Sequence, residues 1–135
     1  MRPPVHTRGV ERRTISSGSP YEPVMGFSRA VRVGQHVFVA GTAPVMPEGE
    51  ELPPDAYGQA TRCLEIIVGA LLEAGAEPAH VVRTRIFATS ADDFEEIARA
   101  HGAVFAGVRP ACTYVITKLI DPRWRVEIEA EALIP

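Results

Sequence analysis

The order of hydrophobic patterns along this 135-residue chain predicts an α+β domain, a mixed sheet with two helices packed on one face. Three observations carry that class. Strand-like and helix-like segments follow one another as strands, helix, strand, helix, two strands, which is not simple βα alternation. Two segments have helical spacing, enough to cover one face of a sheet and not both. The strand residues sort into one uniformly apolar set and one mixed set.

Taken in order, residues 1–10 are polar and proline-bearing and read as mobile. Arg12 to Ser17 is a short β-like run closed by the turn cluster Ser17-Gly18-Ser19-Pro20, and Pro20, Pro23 and Gly26 make 20–26 a loop. Phe27 to Val33 alternates, with Phe27, Arg29, Val31 and Val33 on one side. His36 to Gly41 follows after Gly34-Gln35, so the pair reads as a hairpin. Thr42 to Pro54 is a proline-rich loop. Asp55 to Ala74 is the clearest helix, started by Pro53-Pro54-Asp55 and ended at Gly75. Its apolar face is Ala60, Cys63, Leu64, Ile67, Val68, Leu71 and Leu72, with Cys63 a small core residue. Val81 to Thr89 is a strand. Ser90 then caps a helix from Ala91 to Val104, paired with Asp93 in a capping-box-like arrangement. That helix is expected to bury Phe94, Ile97, Ala98 and Val104, with His101 a hydrogen-bonded core residue on the same stripe. Gly107 to Ala111 is a turn, Cys112 to Leu119 a strand, Asp121-Pro122-Arg123 a turn, and Trp124 to Leu133 the last strand. The whole chain reads as one domain.

Composition narrows the function classes. A hydrophobic fraction of 46% and a charged fraction of 23% are ordinary for a globular protein. A net charge of -3 argues against a nucleic-acid module. No apolar stretch approaches the ~20 residues of a membrane span, and the first residues lack the apolar core of a signal peptide. Cys63 and Cys112 form no CxxC pair, so neither a disulfide framework nor a zinc site is expected, and the chain reads as cytoplasmic with reduced thiols. There is no phosphate loop, HExxH or GxSxG, and His6, His36, His80 and His101 are scattered. No metal and no cofactor are expected.

The chemistry therefore rests on the two sheet faces. The apolar set is Val37 and Val39; Val82, Ile86 and Ala88; Val115 and Leu119; Val126, Ile128 and Ala130. The mixed set is Phe38 and Ala40; Arg83, Arg85 and Phe87; Cys112, Tyr114 and Ile116; Glu127, Glu129 and Glu131. The second set is too apolar for open water and too charged for a dry core. A seam between subunits with polar small-molecule pockets satisfies both facts, and is favoured over a solvated face of Arg–Glu pairs. Within it, Glu127 is a candidate acid or base, with a surface ion-pair role equally open. Tyr114 is a donor, and Arg83 or Arg85 are anion binders. Cys112 reads as an inert pocket wall more than as a nucleophile, since no positive charge can be placed beside it.

Several segments together resemble the RidA (YjgF) family from about Phe27 to the C-terminus. They are Val37-Phe38-Val39-Ala40-Gly41-Thr42-Ala43-Pro44, the helix from Tyr57 through Leu64 to Gly75, Val81-Val82-Arg83-Thr84-Arg85-Ile86-Phe87, Asp93-Phe94, Arg109-Pro110-Ala111 and Val126-Glu127-Ile128-Glu129-Ala130. The resemblance implies a chorismate-mutase-like fold and a homotrimer with ligand clefts between subunits. It also implies hydrolysis of reactive enamines and imines to 2-oxo acids and ammonia. Position by position, Glu127 matches the family's catalytic glutamate and Gly41 its hairpin glycine, while Phe27 replaces a tyrosine and Ala40 a serine. Cys112 stands where the resemblance implies a carboxylate-binding arginine, and Tyr114 is expected on the same cleft. A cysteine cannot replace a bidentate guanidinium. The resemblance thus points to a hydrolase for a small metabolite other than 2-imino acids, or to a trimer that binds small molecules without catalysis. A ribonuclease activity attached to the family finds no basic patch or histidine pair in this sequence.

Overall fold

The computed structural model describes residues 10–135, so nearly all of the segment read as mobile lies outside the described residues. The elements are β1 (Arg12–Ile15), α1 (Tyr21–Met25), β2 (Ala30–Val33), β3 (His36–Thr42), α2 (Ala56–Glu73), β4 (Val81–Ala88), α3 (Phe94–Phe105), β5 (Ala111–Ile116) and β6 (Val126–Leu133). They build one sheet in the order β1-β2-β3-β6-β4-β5. All neighbours are antiparallel except β4 and β5, which α3 joins as a parallel crossover. The predicted class, a mixed sheet with α2 and α3 on one face, is the class observed.

The core lies between that face and the helices. Ala56, Ala60, Cys63, Leu64, Ile67 and Leu71 of α2 are buried together with Val37, Val39, Ile86, Val126, Ile128 and Ala130 of the sheet. Each large side chain removed from water in this way contributes about 1.5–3 kcal/mol. Asp55 caps α2 by accepting from the Gly58 amide at 3.1 Å, and Gly75 takes the left-handed conformation beyond its end (φ +88°).

Several expectations are corrected. Residues 20–26 are not a loop throughout: Tyr21–Met25 is one short helix. Pro23 falls in its first turn, where a missing N–H costs nothing, and Gly26 closes it with its amide on the Glu22 carbonyl at 2.8 Å. The strand after it starts at Ala30, which leaves Phe27 in the connection. The Ser90–Asp93 capping box does not form. Ser90 accepts from the Asp92 amide, Ala91–Asp93 is a 3-10 turn, and the Asp93 carboxylate takes Arg125 Nη1 at 3.2 Å. Phe94 is half-exposed as a result, while Phe105 is buried. Leu72 and Val82 are exposed too, Val82 beside a register shift between Val81 and Arg83. The last two strands are shorter than predicted, so Leu119 and Trp124 fall outside them.

The most consequential correction concerns β5. Cys112 pairs with Thr84, Tyr114 with Ile86 and Ile116 with Ala88, and these β4 residues are buried on the helix side. Paired residues in a ladder share a face. Cys112, Tyr114 and Ile116 therefore belong to the helix-side set, and Thr113 and Val115 to the open face, the reverse of the predicted split.

Candidate functional site

On the open face, β3 and β6 lose register between Val39 and Thr42, and Ala40 and Gly41 occupy the irregularity. Glu127, at the start of β6, uses the room this creates. A Cβ on Gly41 would lie 3.0 Å from Glu127 Oε2 and 3.3 Å from its Cδ, so a glycine lets the carboxylate lie flat against the β3 backbone. Glu127 is half-buried. Burial raises its pKa above the ordinary carboxylate value, Arg29 opposes that shift, and Glu129 adds to it.

Arg29, read only as one member of an alternating strand, is the residue that sequence reasoning missed. It is buried, and Nη1 donates to the Gly41 carbonyl at 2.7 Å and to the Thr42 hydroxyl at 3.0 Å. Its Nε points to the Ser17 hydroxyl at 3.4 Å. Ser17 in turn donates to Glu22 from its hydroxyl at 2.7 Å and its amide at 3.0 Å. Glu22 is buried; desolvation would raise its pKa, but bonds from Ser17, Ser16 and Ser19 together lower it. Phe27 covers this network, with its ring 5.5 Å from the Arg29 guanidinium carbon.

A groove of about 370 Å³ runs over the same face, lined among others by Phe27, Phe38, Ala40, Arg85 and Glu129. Gly41 and Glu127 lie one step further along the same strands, outside its lining. Arg85 is committed there to Glu129 at 2.9 Å and Glu131 at 3.2 Å, so it is no free anion binder. A larger hollow of about 770 Å³, beside Pro53, Trp124 and Arg125, contains none of the predicted site residues. Its arginines are already paired, Arg123 with Asp121 and Arg125 with Asp93.

The structure thus brings Phe27, Ala40, Gly41 and Glu127 together and places Cys112 and Tyr114 apart from them. Cys112 is exposed on the edge strand, two strands from Glu127 and on the other face. Tyr114 packs edge-on against Phe94, ring centroids 5.1 Å apart, and its hydroxyl is buried without a hydrogen-bond partner. Burial, then Asp93, pushes that phenol's pKa up. His101 meets the Thr84 hydroxyl at 2.9 Å. Among the described residues no group of three His, Cys, Asp or Glu is placed to hold a metal ion, and no helix is long and apolar enough to cross a membrane.

Comparison with solved structures defines the class. A member of the YjgF/YER057c/UK114 family from Mycobacterium tuberculosis matches with a TM-score of 0.84 and 40% sequence identity, over 92% of this chain and 100% of that one. The family model described as Endoribonuclease L-PSP matches residues 18–134. The chain belongs to that family, the RidA (YjgF) proteins. An uncharacterized protein of Streptomyces coelicolor is 36% identical over 121 residues, 89% of this chain and 90% of that protein. The 2-iminobutanoate/2-iminopropanoate deaminase of Escherichia coli K12 is 25% identical over 124 residues, 90% of this chain and 97% of the enzyme.

Proposed function

We propose that this chain is a deaminase-like hydrolase acting on a small imine or enamine that lacks an α-carboxylate. Its sites lie in clefts between the subunits of a cytoplasmic homotrimer. The observation that carries the reading is the Glu127 carboxylate seated against Gly41, half-buried and with a raised pKa. A carboxylate in that state takes a proton from water as oxygen adds to the imine carbon. It passes that proton to nitrogen, giving a carbinolamine, then moves the carbinolamine's hydroxyl proton to nitrogen as the C–N bond breaks, leaving a carbonyl compound and ammonia. Phe27, without a hydroxyl, and Ala40 supply an apolar wall. Cys112 offers no cation to a substrate carboxylate, and its exposed edge strand is free to meet the Glu127 seat of a neighbouring copy.

The test supplies purified protein with enzymatically generated iminopropanoate and, separately, with a carboxylate-free imine of similar size, and follows ammonia release. The carboxylate-free imine is consumed, and Glu127→Gln slows this by at least roughly 100-fold. Cys112→Arg gains activity on iminopropanoate. A Glu127→Gln variant that retains the parent rate would sink the role given to that glutamate.

The Phe27 and Cys112 replacements also favour a second reading, a trimer that binds small molecules without turning them over. Saturable ligand binding with no ammonia from either imine selects it.

A further inference from the structure

Arg29 is a cation where a cation is costly. It is 8% exposed, and the acceptors that hold it are neutral: the Gly41 carbonyl, the Thr42 hydroxyl and the Ser17 hydroxyl. A buried guanidinium so placed needs a counter-charge nearby to offset its desolvation. Two carboxylates share its field, Glu22 behind it through Ser17 and Glu127 in front of it across Gly41.

We propose that Arg29 is a positioning residue for Glu127: anchored on the Gly41 carbonyl and the Thr42 hydroxyl, it supplies the fixed positive charge against which that carboxylate is held. The inference rests on reading Glu127 as the acid–base group of the site. The groups facing Glu127 are few. Gly41 of β3 and Phe87 of β4, its ladder partner, are uncharged; Glu129 on its own strand is negative; Cys63 of α2 lies within its field through the sheet. Among the described residues Arg29 is the cation acting on it. Burial and Glu129 both favour the protonated acid. Arg29 acts against both, leaving an anion that binds a proton readily and gives it up again. Because the guanidinium is gripped by backbone and hydroxyl acceptors, its charge does not follow the carboxylate out to water.

Titration of the Glu127 carboxyl by carbon-13 NMR tests this directly, its signal identified by its loss in Glu127→Gln. In Arg29→Gln the midpoint rises by roughly one pH unit or more, while Arg29→Lys, which keeps the charge, restores it toward the parent value. Circular dichroism and thermal melting establish that each variant is folded. An unmoved midpoint in folded Arg29→Gln overturns the proposal. Should that variant not fold, Thr42→Val loosens the anchor and keeps the charge. It raises the midpoint by a smaller step, and an unmoved midpoint there overturns the proposal equally. Where the parent hydrolyses imines, the acid limb of its pH profile moves with the midpoint. A shifted midpoint in a protein that releases no ammonia sinks the hydrolase reading and supports the coupling. An unshifted midpoint with hydrolysis intact does the reverse.

Discussion

Glu127 and Glu22 sit on either side of the same guanidinium and titrate in opposite senses. The folded pKa of Glu127 is raised, so the folded state holds that proton more tightly than the unfolded chain does. Its contribution favours folding in acid and is lost as pH rises from about 4.5 through the folded value. The folded pKa of Glu22 is lowered, so its contribution is present above the unfolded value of 4.5 and is lost as pH falls through the folded one. Urea unfolding between pH 4 and pH 8 separates them. Glu127→Gln becomes more stable than the parent as pH rises, and Glu22→Gln becomes less stable. A Glu127→Gln protein less stable than the parent at pH 8 contradicts the first. Of these residues, Glu127 stood out as a carboxylate on the mixed sheet face and by the family resemblance, and Gly41 by the resemblance alone. Arg29 was not legible. Its partners Ser17, Gly41 and Thr42 come from two other segments, and alternation placed it beside Val31 with nothing to show that it was buried.

At the scale of elements, Gln59 ties three pieces of chain together. It is buried on α2, donates to the carbonyls of Pro53 and Arg123 at 2.9 and 3.1 Å, and accepts from the Arg125 amide at 2.7 Å. The loop before α2, the helix and the approach to β6 thus share one amide. Gln59→Ala orphans these backbone groups and costs about 3 kcal/mol, read as a lower urea midpoint with an unchanged slope. Apolar spacing found α2 and its buried stripe but scored Gln59 as merely polar. The same reasoning shows why β5 was inverted. Cys112, Tyr114 and Ile116 are no more apolar as a set than Thr113 and Val115 are polar, so the pattern offered no clear choice of face. The phase is set upstream, where Arg109 takes a left-handed φ of +57° before Pro110. That turn is invisible to a two-residue period.

For the molecule as a whole, the sheet has one covered face and one that leaves Phe38, Val115 and Leu133 partly exposed. The edge strand β5 is exposed on both sides, at Val115 and at Ile116. The fold class was legible because two helices can cover one face; the separation of Cys112 from Glu127 was not, because it follows from the phase of β5 and not from its composition. Sedimentation is expected to show a trimer, and Val115→Glu to yield folded monomers that neither bind nor hydrolyse small imines; a monomeric parent contradicts the assembly. The sheet also gives the two thiols different fates. Cys63 lies beneath it, where burial and then the negative field of Glu127 push its pKa well up. It stays a protonated, inert sulfhydryl when oxidants are present. Cys112 has no such cover. Thiol oxidation in this protein therefore falls first on the β5 edge, and a sulfenic acid or mixed disulfide there would place new bulk and polarity on that edge while the core thiol stays chemically untouched.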